Sequence, residues 1–154
     1  AKHGPLAGLE MQKSLEQAAW VWGGGTQSAP AQLMADFVGG RESQTTLPTS
    51  YFPGLTAAPL HKLLPAPLRY RLQMGFQDFG KKMRGFLTND AQIVGVESRT
   101  SSPVRIPRDA QTLAHPQFRN LFPCGEGAGY AGGIVSAAID GERCAEALFN
   151  SRTT

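Results

Sequence analysis

The sequence predicts an α+β fold, in which a mainly helical first part precedes a few short strands and a closing helix. Apolar residues recur at helical spacings over residues 6–22 and 67–82, which indicates amphipathic helices. The runs at 92–97 and 104–106 are short and β-branched, which is typical of strands. With 154 residues, of which 41% are hydrophobic and 18% charged, the chain can bury a core and is too apolar to be disordered.

The first helices are predicted from their apolar faces and from the residues at their ends. Leu6–Trp22 carries apolar side chains at mostly helical spacings and stops at three consecutive glycines. Ser28 is the predicted N-cap of a second helix, which has an Ala-Pro pair in its first turn and ends at Gly39-Gly40. Residues 40–55 are rich in Ser, Thr, Pro and Gly and are predicted to form an extended connection.

Two further helices complete this first part. Thr56 is the predicted cap of a helix that ends at Pro65. A longer helix is predicted from about Pro67 to Lys82, because its apolar residues lie three or four positions apart: Leu68, Leu72, Phe76 and Phe79.

The pattern then changes to short strands and one closing helix. The predicted strands are residues 92–97, 104–106 and 121–124. The last of them enters a glycine-rich loop, and Ile134–Phe149 follows as the closing helix. This change divides the chain into a mostly helical region, residues 1–90, and a region of strands, loop and helix, residues 91–154.

The net charge of +3 is unevenly distributed along the chain. Residues 81–119 hold seven basic and three acidic residues, whereas residues 120–154 hold two basic and four acidic ones. A basic stretch of this kind suits a phosphate-bearing ligand or a nucleic acid, although it also occurs on an ordinary solvated surface. One interpretation is therefore a small basic nucleic-acid-binding module. Against it, aromatic residues are sparse near the basic cluster and no nucleic-acid-binding motif is present.

Other features bear on where the protein works. Cys124 and Cys144 form neither a CxxC motif nor a zinc-type spacing, which favours a reducing, cytoplasmic setting. No apolar run is long enough for a transmembrane helix, so no membrane partner is expected. The chain starts at Ala1 without an initiator Met or the apolar core of a signal peptide, and we expect it to be a piece of a longer protein.

The loop before the closing helix matches G-x-G-x-x-G at residues 127–132. A dinucleotide-binding unit needs a further parallel strand after the helix, and only 22 residues follow Gly132, so we reject a dinucleotide half-site here. Small residues still let backbone N–H groups approach a ligand beside a helix N-terminus, and Glu126 can accept hydrogen bonds from hydroxyl groups. The alternative is a tight turn whose glycines only allow positive φ angles.

Two segments resemble one family of bacterial flavoproteins. Residues 125–141, GEGAGYAGGIVSAAIDG, and residues 96–109, VESRTSSPVRIPRD, are similar to the C-terminal part of the largely uncharacterised FAD-dependent (NAD/FAD-utilising) dehydrogenases. Weaker similarity occurs at residues 3–8, 29–32, 36–37 and 50–51. The resemblance implies that the family's N-terminal FAD-binding segment precedes Ala1 and that the fold ends in the last strand and helix of an FAD-binding domain.

The resemblance also implies a set of cofactor-binding residues. They are Gly125, Glu126, Gly127, Ala128, Gly132, Gly133 and Ile134. The first two would hold the ribityl chain of FAD, and the backbone of the last three would lie near the isoalloxazine ring. A helix N-terminus there favours the negative charge that the reduced ring carries near N1. Glu126 stands where many flavoproteins have Asp, so its carboxylate reaches further out.

What the parent protein does follows from the same resemblance. It would be an oxidoreductase of the dehydrogenase type that transfers a hydride through FAD, with NAD(P)H as a candidate electron donor. Its implied partners are the N-terminal FAD-binding segment and a small-molecule substrate. No acid–base pair, nucleophile or metal-ligand set is evident in the chain, so the chain alone is expected to be inactive.

Two arginines and a tyrosine have open interpretations. Arg99 and Arg105 suit a substrate anion or the edge of the flavin, because a guanidinium offers a planar fork of donors. The alternative pairs them with Glu97 or Asp109 as structural ion pairs. Tyr130, among the glycines of the loop, either shields the flavin ring or packs within the fold.

Overall fold

A computed structural model describes residues 2–99 and 101–151. These residues form five α-helices and a three-stranded mixed sheet, about 43% helical, so the predicted α+β class is confirmed. They fall into two units. The sheet unit is Lys13–Glu97, and the loop unit consists of Ala1–Gln12 with Ser98–Thr154. The division of roles between residues 1–90 and 91–154 stays a prediction.

As far as residue 94, the connections between successive elements hold at most 15 residues, and the longest of them is residues 40–54. The helices are α1 (Ala7–Trp22), α2 (Met34–Gly39), α3 (Leu60–Leu63), α4 (Ala66–Lys82) and α5 (Ile134–Ser151), and a 3-10 turn, Gly4–Leu6, precedes α1. The strands are β1 (Ala29–Leu33), β2 (Leu55–Ala57) and β3 (Gln92–Val94). Helices α1, α4 and α5 confirm the predictions for those segments. Strand β3 confirms only the first half of the strand predicted at residues 92–97. Within the described ranges, no helix is long and apolar enough to cross a membrane.

Strand β1 is the centre of the sheet, whose order is β2-β1-β3. It pairs parallel to β2, with Ala31 opposite Ala57, and antiparallel to β3, with Ala31 opposite Val94. Because β1 is paired on both sides, its backbone is covered, and Ala31 and Gln32 are fully buried. The ring of Phe37 in α2, also fully buried, meets Phe76 of α4 edge to face at 6.1 Å and closes the core beside the sheet.

The helix predicted from Ser28 is wrong in its first half, which forms β1, and the helix predicted from Thr56 starts only at Leu60. The two predicted caps bind each other instead. The Ser28 hydroxyl lies 2.9 Å from that of Thr56, which donates to the Gly23 carbonyl at 3.1 Å. Pro30 fits the strand because its carbonyl accepts the Gly95 N–H at 3.1 Å. Pairing with distant strands thus overrides the local capping preference.

The strands predicted at residues 104–106 and 121–124 are also wrong, since both segments are irregular. The Ile106 N–H donates to the Ala128 carbonyl at 3.1 Å, and Arg108 donates to the Pro123 carbonyl at 2.8 Å. A loop and a side chain therefore satisfy backbone groups that a partner strand would otherwise bind. The strand that a G-x-G-x-x-G unit requires before its loop is not formed in this described segment.

A buried amide joins β1 to α3 inside the sheet unit. The Gln32 amide nitrogen donates to the Arg41 carbonyl at 2.6 Å and contacts Nδ1 of His61 at 2.8 Å, while its oxygen accepts the His61 N–H at 3.1 Å. Because the Gln32 nitrogen can only donate, Nδ1 of His61 must carry a lone pair, so the ring is neutral with its proton on Nε2. Burial lowers the pKa of His61, and the nearby Lys62 and Arg69 lower it further.

Acidification is expected to destabilise the sheet unit through His61. In the unfolded chain a histidine takes up a proton near pH ~6.5, whereas the pKa of the folded His61 lies lower. The contribution of His61 to the free energy of unfolding is therefore complete at a pH above the pKa of the unfolded chain. It declines as the pH falls below that pKa towards the lower pKa of the folded protein. Urea unfolding followed by tryptophan fluorescence at about pH 8 and about pH 5.5 measures this decline.

Two variants separate His61 from the other titrating groups. The substitution His61→Gln should flatten the pH dependence, and His115→Gln should leave it as it is. If His61→Gln does not fold, the ring of His61 in the unaltered chain can be titrated by NMR. A midpoint at or above ~6.5 in that titration would contradict the expected decline.

Candidate functional site

The glycine-rich loop, residues 125–133, is folded by its own backbone. The Tyr130 N–H donates to the Gly125 carbonyl at 3.0 Å, and the Gly129 N–H donates to the Glu126 carbonyl at 2.9 Å. Gly125 and Gly129 have φ angles of 67° and 83°, the left-handed region that favours glycine. The loop therefore has a defined shape that depends on these two glycines.

An ion pair anchors the loop to α5. Arg108 donates to both carboxylate oxygens of Asp140, at 2.7 and 2.9 Å, and the same carboxylate accepts the Gly125 N–H at 2.8 Å. The exposed fractions of the two side chains are only 10% for Arg108 and 12% for Asp140. Hydrogen bonds from Arg108, and then from Gly125, hold the pKa of Asp140 below its usual value, and the same pairing raises the pKa of Arg108.

The segment of residues 102–106 packs along the loop and fixes its other side. The Ser102 hydroxyl lies within hydrogen-bond distance of the carbonyls of Val104, at 2.8 Å, and Gly127, at 3.1 Å. A Cβ at Gly129 would lie 2.7 Å from the Val104 carbonyl oxygen, so only glycine allows this approach. Ala128, at 5% exposure, is buried in the same contact.

Glu126 differs from the other polar side chains around the loop. It is half-buried, and in the part of the chain that the structure describes no side chain or backbone group bonds to its carboxylate. The neighbouring Asp140, by contrast, has all its acceptors directed at Arg108 and Gly125. Glu126 is thus an acceptor that the described protein leaves open.

The start of α5 is open to solvent. The first helical hydrogen bond runs from the Ala137 N–H to the Gly133 carbonyl at 2.9 Å, and the Gly133 N–H donates to the Ser136 hydroxyl at 3.2 Å. Ile134 is 93% exposed and Val135 71% exposed, although both are apolar. The chain therefore brings the predicted glycines and Ile134 together at an accessible helix N-terminus, a few residues after Glu126.

Tyr130 packs within the fold rather than projecting from it. Its hydroxyl donates to the Ile106 carbonyl at 2.9 Å, and the guanidinium carbons of Arg105 and Arg108 lie 4.4 and 3.7 Å from the centre of its ring. Arg105 makes no ion pair with any described residue, so the alternative of a structural pair with Asp109 is not seen. Arg99 is exposed.

Sequence reasoning gave no role to Arg108 and Asp140, which hold the site together. Both lie inside the two segments that carry the family resemblance, and Asp140 falls at a half-buried position of α5. Their pairing spans 32 residues, so no local spacing predicts it. The sequence signal that could have identified this pair is Asp140, an acidic residue on the same face of α5 as the buried Cys144.

Comparison with known proteins defines the class to which this domain belongs. Residues 1–100 match a family model described as FAD-dependent protein, C-terminal domain-like. The match covers the sheet unit and ends before the glycine-rich loop. The chain belongs to this family of FAD-dependent proteins, as the sequence resemblance implies.

One curated relative matches almost the whole chain. It is an uncharacterized protein of Clostridium beijerinckii, 43% identical over 148 residues, which are 94% of this chain. The chain spans 27% of the length of that relative. The similarity therefore extends through the loop and α5, which lie beyond the residues that the family model matches.

Proposed function

We propose that this chain is the C-terminal part of an FAD-dependent oxidoreductase, in which the loop of residues 125–133 and the start of α5 bind the ribityl and ring portions of FAD. The observation that carries the proposal is the half-buried residue Glu126, whose carboxylate no described group binds, a few residues before an accessible helix N-terminus. A hydroxylated chain attached to a ring that gains negative charge matches this donor and acceptor set.

Each part of the site has its own task in this proposal. Glu126 accepts hydrogen bonds from ribityl hydroxyls, and the start of α5 at Gly132, Gly133 and Ile134 favours negative charge on the group bound there through the helix dipole. The Gly133 N–H itself is held by the Ser136 hydroxyl. Asp140 keeps the loop in shape by holding the Gly125 N–H. When bound, FAD supplies hydride transfer, so the chain itself needs no acid–base pair.

The exposed apolar residues at the start of α5 support the proposal that another part of the same protein covers them. Ile134, Val135 and Ile139 are exposed at 93%, 71% and 45%. We propose that the N-terminal FAD-binding segment covers this surface, while residues 1–90 form the substrate side. A small-molecule substrate and NAD(P)H as an electron donor belong to the same proposal, since they follow from the dehydrogenase interpretation. The proposed cytoplasmic location rests on the free cysteines Cys124 and Cys144.

The nucleic-acid alternative loses part of its basis in the charge of residues 81–119. Lys81 pairs with Asp78 at 3.0 Å, and the charge of Arg108 is matched by Asp140. Two of the seven basic residues of that stretch are thus compensated. We therefore favour the flavoprotein reading.

The substitution Glu126→Ala tests the proposed function in the full-length flavoprotein. It removes one or two charge-assisted hydrogen bonds, so the dissociation constant of FAD should rise about ten- to a thousandfold. Glu126→Gln keeps one acceptor oxygen and should lie between Ala and the unaltered protein. Flavin fluorescence titrations give the dissociation constants, and melting temperatures without FAD show whether the fold is intact.

The matched control is Glu142→Ala, which removes the same charge from an exposed position of α5. It should leave FAD affinity unchanged. If Glu126→Ala is well folded and binds FAD as tightly as the unaltered protein, Glu126 does not contact the cofactor and the loop is a structural turn.

A further inference from the structure

Arg105 and Arg108 both lie on the ring of Tyr130. Among the residues described, a carboxylate pairs with Arg108 but none pairs with Arg105. Arg108, beside it on the Tyr130 ring, is bound through two hydrogen bonds to Asp140. Arg105 is exposed, and its guanidinium is held 4.4 Å from the centre of the same ring. Stacking on Tyr130 restricts the side chain while leaving its N–H groups available to a ligand.

This charge lies at an open cleft of about 540 Å³. The cleft is lined by Arg105, Pro107, Arg108, Ala110, Leu113 and Tyr130. Apart from the two arginines its walls are apolar or aromatic, so it suits a ligand with a hydrophobic body and one charged end. Leu113 has a φ of 58°, an uncommon conformation for a residue other than glycine, Asn or Asp, and such strain is typical of binding sites.

Asp109, four residues after Arg105 along the chain, holds one carboxylate oxygen in its own turn. The Asp109 carboxylate accepts the N–H groups of Gln111 and Thr112 at 2.9 and 2.8 Å and does not line the cleft. Its own turn uses Oδ1, and neither carboxylate oxygen of Asp109 bonds to Arg105, so Arg105 keeps its donors for a ligand. The net charge of the lining residues, after the Arg108–Asp140 pair is counted, is a single positive charge.

We propose that this cleft binds a small organic carboxylate, with the fork of Arg105 on the carboxylate and the apolar walls around its body. A monoanion matches one uncompensated guanidinium, whereas a phosphate dianion calls for more positive charge. That this acid is the substrate of the parent enzyme rests on the proposed function, and it extends the proposed substrate side beyond residues 1–90 to this cleft. The binding itself does not depend on it, because every residue involved lies in the loop unit.

Benzoate is the probe, and benzyl alcohol is its uncharged counterpart. In the 154-residue chain without flavin, benzoate should give saturable shifts of the Leu113 and Tyr130 amide signals in ¹H–¹⁵N NMR spectra. Arg105→Gln should weaken benzoate binding by about tenfold or more, which corresponds to ~1.4 kcal/mol. Arg84→Gln removes the same charge from an exposed position in the sheet unit and should leave the binding unchanged. The dispersion of the spectra reports whether each variant is folded.

Three outcomes would overturn the carboxylate site. They are equal shifts with benzoate and benzyl alcohol, tighter binding of inorganic phosphate than of benzoate, and equal losses in Arg105→Gln and Arg84→Gln. The test is separate from that of the proposed function. Benzoate binding that needs Arg105, together with an unaltered FAD affinity in Glu126→Ala, would keep the carboxylate site and overturn the flavin contact.

Discussion

Replacing Asp140 by alanine should lower the free energy of unfolding of the loop unit by about 3–5 kcal/mol, because it leaves the largely buried Arg108 charge without its partner. The substitution also deprives the Gly125 N–H of its acceptor. Asp140→Asn keeps an acceptor for that N–H but loses the charge, so its effect should be smaller. Urea unfolding followed through the NMR signals of α5 measures both variants.

The control for this prediction is Asp78→Ala in α4. Asp78 pairs with Lys81 at the surface, where both side chains are more than half exposed, so its loss should cost at most about 1 kcal/mol. Equal effects of Asp140→Ala and Asp78→Ala would show that the Arg108–Asp140 pair does not anchor the loop.

The substitution Gly129→Ala should also destabilise the loop unit strongly. The new Cβ would lie 2.7 Å from the Val104 carbonyl oxygen and 3.1 Å from Cα of Arg105, both backbone atoms. The φ of 83° adds the strain of a left-handed conformation. Overpacking costs about 1–3 kcal/mol and left-handed backbone about 1–2 kcal/mol, so the expected loss is roughly 2–5 kcal/mol. The same urea experiment measures it.

Gly127 offers a control in the same loop. A Cβ at Gly127 meets nothing within 4 Å, and its φ is not positive. Gly127→Ala should therefore change stability by less than about 0.5 kcal/mol or increase it slightly. If Gly127→Ala is as damaging as Gly129→Ala, the contact between the loop and the 104–105 backbone is not what requires glycine.

The helices could be predicted because their signal is local. In α1, α4 and α5 the apolar residues repeat at the helical period, and glycines or prolines stand near the ends, so neighbouring residues carry the information. The same holds for the glycine-rich loop, where Glu126 is recognisable as the only acidic side chain among small residues.

The central strand could not be predicted in this way. Ser28 followed by Ala-Pro has the composition of a helix start, yet β1 forms because β2 and β3 pair with it across 21 and more residues of intervening chain. The candidate site shows the same limit. The Arg108–Asp140 pair and the packing of residues 102–106 on the loop depend on contacts between distant segments, which no periodicity encodes.

The amide of Gln32 has a consequence for how this domain can vary in evolution. Its nitrogen donates to the Arg41 carbonyl and to Nδ1 of His61, and its oxygen accepts the His61 N–H. A single change to Glu would aim an oxygen at two acceptors, and a single change to Leu would leave the imidazole of His61 without its donor. Two of the three partners, the Arg41 carbonyl and the His61 N–H, belong to the backbone and remain whatever side chain stands at position 61. An amide should therefore persist at position 32 in related sequences even where position 61 varies.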